Sequence, residues 1–210
     1  YLLCVTKTFL RSSCCIINMS PTASHIFKAL YGVWLIACRR TESVSYFDIS
    51  VDGFWKSFLA ALLVLPANVI ITFVGLYAIS ETNYGIFAAL RDLLIYGITW
   101  LLYPLLVLNF FAFLGSKDRA LAYLIPYNWA SVPLGYMFAV ATVLNTFLSM
   151  VPFLGIFLLT TVYAVAICLF CEIARQGLKV SRLSAIGVVV FDFIFSISLM
   201  SVLGSIKSQI

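Results

Sequence analysis

A single carboxylate, Asp192, stands inside the last apolar stretch of the chain, in the segment GVVVFDFIFSIS (187–198). Such a carboxyl group can relay protons, bind a cation or hydrogen-bond neighbouring helices. Leaving it ionised at the centre of a membrane costs at least about 2.5 to 3.5 kcal/mol. It must therefore be protonated, paired or next to water. Ser196 falls one helical turn away on the same helix face.

Uncharged polar side chains in other apolar stretches are candidates for an intramembrane polar site with Asp192 and Ser196. Asn109 lies in an earlier stretch, and no Lys, Arg or His lies in these stretches to pair with the carboxyl group. We therefore expect a protonated Asp192 that donates a hydrogen bond between helices; a proton or ion relay is the alternative. A third stretch supplies further candidates at helical spacing: Thr142, Asn145 and Ser149.

The sequence lacks the residue patterns that nucleophilic catalysis, zinc binding and nucleotide binding require. The only histidine, His25, lies outside the apolar stretches, so neither a Ser–His nor a Cys–His pair can form within them. Cys168 and Cys171 form a CxxC without a second pair, whereas a closed zinc site needs four ligands. No phosphate-loop or dinucleotide motif occurs. We predict no enzyme activity, no metal site and no cofactor.

The composition is that of a membrane protein. Of the 210 residues, 63% are hydrophobic and 10% are charged, against roughly half and a quarter in soluble domains. The mean hydropathy is +1.09. The net charge of +5 is compatible with nucleic acid, but in such a chain surplus Lys and Arg more often reflect membrane topology. We expect the lipid bilayer as a partner, and no nucleic acid.

The apolar stretches predict an all-α fold, a polytopic membrane helix bundle with five transmembrane helices and an N-terminal amphipathic interfacial helix. The transmembrane domain is expected over residues 54–206. The Pro and Gly of SMVPFLG predict a hairpin between the third and fourth spans, and LAYLIPYNWASVP is expected to form an interfacial re-entrant segment. The predicted spans are about 54–79, 93–114, 132–150, 153–172 and 184–205.

The distribution of basic residues predicts the orientation. With the N-terminus in the cytoplasm and the C-terminus outside, eleven Lys and Arg fall inside and two outside. The fifth span carries Asp192 on one face and a stripe of small residues on the other, including Gly187, Ser198 and Ser201. Small residues favour close helix packing. We therefore expect the fifth span to be buried on both faces.

The N-terminal part is predicted to remain outside the membrane core. Residues 1–18 precede the first methionine and are expected to be an upstream extension. Residues 19–53 are expected to form a cytoplasmic amphipathic helix and a connector. The apolar part, Ile26–Cys38, spans only about 20 Å, too short for a core of about 30 Å. Its candidate lipid contacts share an interfacial position: Lys28, Arg39, Arg40 and Trp34.

The layout resembles the Yip family, the Rab-interacting membrane proteins of the secretory pathway and their bacterial relatives. The closest stretches are GSKDRALAYLIPYNWASVP and EIARQGLKVSRLSAIGVVVFDFIF, within a resemblance that covers about Phe54 to Ile206. The resemblance implies a helical membrane scaffold. Eukaryotic members carry a long, motif-bearing cytoplasmic N-terminus that has no counterpart here, so a Rab-type partner is not expected.

These observations favour an integral membrane scaffold or interaction protein of the bacterial cytoplasmic membrane, with other membrane proteins or further copies of itself as partners. Two alternatives stay open. One is a small transporter or channel component that uses Asp192 with Asn109 and Asn145. The other is an accessory subunit of a larger membrane complex.

Overall fold

The computed structural model describes residues 21–78, 80, 84–148 and 152–207. The predicted upstream extension, residues 1–18, lies outside this part of the chain. The fold is all-α and contains five helical segments long and apolar enough to cross a membrane: Val51–Ala78, Ile86–Phe113, Lys117–Phe147, Phe153–Leu178 and Arg182–Leu199. The predicted fold class is confirmed. The helices are α1 (Pro21–Ala37), α2 (Val51–Ser57), α3 (Leu59–Ala78), α4 (Ile86–Phe113), α5 (Lys117–Phe147), α6 (Pro152–Leu178) and α7 (Arg182–Lys207), with a 3-10 helix at Thr41–Tyr46.

Helix α5 is the centre of the bundle, and α1, α2, α3, α4 and α6 all pack against it. Its first half is buried, with Tyr123 and Trp129 fully enclosed. Pro126 and Pro133 lie inside the helix. The expected separate re-entrant segment is therefore wrong, because LAYLIPYNWASVP continues directly into the third span. Packing on every side keeps this segment helical although each proline removes a backbone hydrogen bond.

Helices α5 and α6 form a close antiparallel pair. A Cβ atom added to Gly177 would lie 2.6 Å from the backbone oxygen of Ala122, so the two backbones approach too closely for a larger residue. Near the other end of the pair, Gly155 has the side chain of Asn145 directly against it. Helix α5 ends at Phe147 and α6 begins at Pro152, so the chain reverses within the predicted hairpin.

Helix α7 lies at the edge of the bundle. One stripe, Ala185, Val189 and Asp192, is buried against neighbours that include α6 and α4. The opposite face is exposed, and a Cβ atom on Gly187 would meet nothing within 4 Å. The prediction of a fifth span buried on both faces is therefore wrong for the described chain. The small residues on the outer face of α7 have no helix packed on them there.

Helix α1 runs alongside α5 and α6. The ring of His25 lies 5.7 Å from that of Trp129 in α5, and beyond the other end of α1 the Ser43 hydroxyl donates a 2.7 Å hydrogen bond to Gln176 in α6. The inner face of α1 is buried in the core. Trp34, on the outer face, is 64% exposed beside the exposed Phe27, so α1 is a short apolar helix whose two faces both carry apolar side chains.

Candidate functional site: a polar cavity beside Asp192

Asp192 is buried, with 7% of its surface exposed, and it is hydrogen-bonded to another helix. The Tyr127 hydroxyl of α5 donates a 3.0 Å bond to its Oδ2 atom. The Oδ1 atom is also buried and has no hydrogen-bond partner among the described residues. Ser196, one turn further along α7, interacts with the same carboxyl group. Half of the carboxyl group is therefore left without a hydrogen bond, which is costly in an apolar bundle.

Two tyrosines and a phenylalanine hold Tyr127, the donor to Asp192, in place. The Tyr103 hydroxyl of α4 and the Tyr123 hydroxyl of α5 share a 2.8 Å hydrogen bond. The Tyr127 ring lies 5.2 Å from the ring of Tyr103 and stacks on Phe170 of α6 at 4.8 Å. Four helices thus meet at Tyr127, and the aromatic contacts fix the position of its hydroxyl group.

Asn128, the next residue, provides a second unpaired oxygen. The residue is 1% exposed, and its Nδ2 donates a 2.8 Å hydrogen bond to the Ser57 hydroxyl of α2. The Ser57 hydroxyl in turn donates to the backbone oxygen of Phe54. The Asn128 Oδ1 atom is buried and lacks a partner in the described part of the chain. Because nearly all buried polar groups in proteins are hydrogen-bonded, two unpaired oxygens in one region indicate a place for water, an ion or a ligand.

A cavity of about 150 Å³ lies between α4, α5 and α7. Its volume is sufficient for several water molecules or a small polar solute. Asp192 stands directly behind the wall, since both Tyr127 and Ser196 contact the cavity. The wall is formed by Thr99, Trp100, Tyr103, Pro104, Tyr127, Asn128, Ser131 and Ser196.

The polar residues of the three helices lie at two matching levels. Depth is measured along each helix from one end: for α4 and α5 from the end at the α4–α5 connection, and for α7 from the end at the α6–α7 connection. Ten residues, or about 15 Å, from that end lie Tyr103, Tyr127 and Asp192. Fourteen residues, or about 21 Å, from it lie Thr99, Ser131 and Ser196. The site therefore has a tyrosine and carboxyl level and, one helical turn further, a level of aliphatic hydroxyls.

The structure brings only two of the predicted polar residues, Asp192 and Ser196, to this cavity. Asn109 is exposed and donates a 2.8 Å hydrogen bond to the Leu105 carbonyl of its own helix. Thr142 and Asn145 lie near the far end of α5, and Ser149 lies outside the described residues. Asp192 does form an interhelical hydrogen bond, but its partner is Tyr127, and the tyrosine hydroxyl rather than the carboxyl group is the donor.

Sequence reasoning missed Tyr103 inside the second predicted span, and it missed Tyr127 and Asn128 because it places the PYNW segment at the membrane interface. Tyr, Asn and Trp are common there, and a segment with two prolines did not indicate a central helix. A signal was nevertheless available. Tyr103, Tyr127 and Asp192 all lie at most 12 residues from the polar connections GSKDRA or GLKVSR, in the half of the bundle next to these connections.

The predicted lipid contacts lie on a different part of the molecule. Lys28, Arg39 and Arg40 are exposed and form no salt bridge with any described residue. Trp34 is exposed beside them on the outer face of α1. By contrast, Arg175 of α6 is paired with Glu172. The end of the bundle near the α1 C-terminus therefore carries unpaired positive charge.

The fold defines a class: this is a helical membrane protein with several spans. A scan against protein-family models and searches among curated proteins and solved structures found no match to the chain. No group of three or more His, Cys, Asp and Glu side chains suitable for a metal ion occurs within the described ranges.

Proposed function

We propose that the protein binds a small polar solute in the cavity beside Asp192 and acts as a transporter or channel component. The proposal rests on one observation: Asp192 Oδ1 and Asn128 Oδ1 are buried without partners, and Asn128 together with Tyr127 and Ser196, the two contacts of Asp192, lines a cavity of about 150 Å³. Each unpaired polar group costs about 1–3 kcal/mol. A solute that hydrogen-bonds both oxygens recovers this free energy, which gives the cavity a specific affinity.

Neighbouring charged residues support entry from the end of the bundle that carries the basic loops. Asn128 bonds Ser57, which directly follows the exposed Lys56. On α6, Phe170 stacks on the ring of Tyr127, the residue before Asn128. Phe170 lies two residues before Glu172. Lys56 and Glu172 each have an ion-pair partner on their own helix, as expected near the edge of the hydrocarbon core. The tyrosine and carboxyl level, about 15 Å from this end, therefore faces the side from which entry is proposed.

Flux through the purified protein in liposomes tests the proposal. We expect uptake of at least one small solute among protons, Na⁺, K⁺, ammonium, urea and glycerol, reduced at least about tenfold by Asp192→Asn. Asn109→Leu is the matched control, because it removes an exposed polar side chain from α4 away from the cavity. Equal flux in wild type and Asp192→Asn, or no flux of any solute, overturns the proposal.

The basic end favours a second candidate, the integral membrane scaffold that the resemblance to the Yip family implies. In this candidate the unpaired Lys28, Arg39 and Arg40 bind anionic headgroups while the exposed Trp34 and Phe27 enter the lipid. Other membrane proteins, further copies of the chain or a larger complex would then be its partners.

Retained lipid tests the second candidate. In purified protein, replacing Lys28, Arg39 and Arg40 together by Gln should lower the ratio of anionic to zwitterionic lipid. Arg91→Gln is the control, because Arg91 lies at the opposite end of the bundle and is paired with Asp92. An unchanged ratio in the triple variant contradicts the lipid-bound scaffold and leaves the solute site unaffected.

A further inference from the structure

We propose that the ligand of this cavity is a small monovalent cation, either an alkali metal ion or an ammonium group. This inference rests on the proposed function and names its substrate class. It follows from the direction of the hydrogen bonds around the cavity, which leave oxygen lone pairs but few protons for a ligand.

Two of the three aliphatic hydroxyls in the cavity wall have already used their protons on backbone carbonyls, and the third, Ser196, hydrogen-bonds the Asp192 carboxyl group. Thr99 donates a 2.8 Å hydrogen bond to the Tyr96 carbonyl, and Ser131 donates a 3.2 Å bond to the Tyr127 carbonyl. A hydroxyl group has one proton and two lone pairs. Each of these oxygens can therefore only accept a hydrogen bond from a ligand, or coordinate a cation.

The amide and carboxyl groups are arranged in the same way. Asn128 donates to Ser57 and keeps its Oδ1 free. Asp192 receives the Tyr127 proton on Oδ2 and keeps its Oδ1 free. The Tyr103 and Tyr123 hydroxyls share one hydrogen bond, in which either can be the donor. An anion or a carbonyl compound would find few donors here, whereas a cation or an ammonium group finds acceptors on α4, α5 and α7.

Charge and aromatic walls favour a single positive charge. When ionised, Asp192 supplies one negative charge, and no Lys, Arg or His belongs to the cavity wall. The rings of Trp100, Tyr103 and Tyr127 also line the cavity, and aromatic faces attract cations. Hard cations prefer oxygen ligands. A divalent ion would keep an uncompensated charge, because the wall itself contains no carboxylate and Asp192 behind it supplies a single one.

Thermal unfolding of the purified wild-type protein tests this assignment. The chloride salts of Na⁺, K⁺, ammonium and methylammonium are titrated against N-methylglucamine at constant ionic strength, with urea and glycerol as neutral probes. We expect a saturable rise in Tm with at least one small cation. A response to the alkali ions indicates an inorganic ligand, and a response only to ammonium and methylammonium indicates an amine.

Three variants locate the effect. Asp192→Asn should abolish the rise in Tm, while Thr99→Val and Ser131→Ala, which leave the carboxyl group intact, should each raise the apparent Kd about tenfold. Thr160→Val, an exposed hydroxyl bonded within α6, is the control. If Asp192→Asn does not fold, the two hydroxyl variants decide the outcome by themselves.

The possible failures are distinguishable. Stabilisation by urea or glycerol without any cation effect, together with flux that depends on Asp192, rejects the cation and leaves the proposed function standing. A cation effect that persists in Thr99→Val, Ser131→Ala and Asp192→Asn also rejects this site as the cation site. No stabilisation by any probe, with no flux in liposomes, rejects both proposals.

Discussion

Tyr127 and Asp192 are joined by a 3.0 Å hydrogen bond although 65 positions separate them in the chain. The bond connects the central helix α5 with the edge helix α7, which buries only one stripe of its surface. Tyr127 is also held by the stack with Phe170. Loss of the hydrogen bond would therefore remove a contact between the central helix and the edge helix.

The first prediction concerns the hydroxyl of Tyr127. Tyr127→Phe keeps the ring stacked on Phe170 but leaves both oxygens of the buried Asp192 without the tyrosine donor, so we expect the free energy of unfolding to fall by about 1–3 kcal/mol. Thermal unfolding in detergent measures the change. Tyr136→Phe is the control: its hydroxyl bonds the Leu63 carbonyl from an exposed position, where the loss should stay below about 1 kcal/mol. Equal losses in both variants would contradict the special role of Tyr127.

The second prediction concerns Asn128 and Ser57, which join α5 to α2 by a 2.8 Å hydrogen bond. Both side chains are buried, so Ser57→Ala leaves the amide of Asn128 unpaired and should cost about 1–3 kcal/mol. A cycle with Asn128→Ala should show a coupling free energy of about 0.5–3 kcal/mol. Ser45→Ala, which removes an exposed hydroxyl, is the control. A cycle with purely additive losses would show that the bond does not stabilise the fold.

Composition and apolar run length were sufficient to predict the all-α class and the number of long apolar helices. Both depend on the bilayer, which requires stretches of about 20 apolar residues whatever they pack against. The course of α5 could not be predicted in this way. Its first half, with Pro126 and Pro133, is helical because other helices enclose it, and enclosure is a tertiary property.

The same limit applies to the candidate site. Asp192 was recognised because a carboxylate in an apolar run is expensive wherever it lies. Its partner could not be recognised from residue type, since Asn109 and Asn145 are as polar as Tyr127. Depth and helix phase decide between them: Asn109 faces outward and Asn145 lies against Gly155. The burial of α7 was overestimated because small residues permit close packing without requiring it.

The third prediction concerns pH and the loop before α4. The Tyr84 hydroxyl donates a 3.0 Å hydrogen bond to Asp92. Burial, followed by the hydrogen bond and the negative charge of Asp92, raises the pKa of Tyr84 above its usual value. Folding thus favours the neutral phenol, so this contribution to stability is complete below the unfolded pKa of about 10 and is lost as pH rises through the folded value.

Tyr84→Phe should accordingly reduce the fall in Tm between about pH 8 and pH 11, because the substituted ring cannot ionise. Tyr77→Phe, at a position 79% exposed, should leave the fall unchanged. If the two variants and the wild type lose the same Tm over this interval, the Tyr84 hydrogen bond does not contribute to the pH dependence.

The last prediction compares two glycines in apolar helices. At Gly177 a Cβ atom would lie 2.6 Å from the Ala122 carbonyl oxygen and 2.7 Å from the Tyr123 Cα atom, whereas at Gly187 it would meet nothing within 4 Å. Gly177→Ala must push α5 and α6 apart at the level of Tyr123, so we expect a loss of about 1–3 kcal/mol. Gly187→Ala should be neutral or stabilise α7 by up to about 1 kcal/mol, since alanine is the better helix former. Thermal unfolding of both variants measures the difference. A Gly177→Ala protein as stable as wild type would mean that α5 and α6 are not in backbone contact there, and the tyrosine cluster would then lose the support on which the cavity depends.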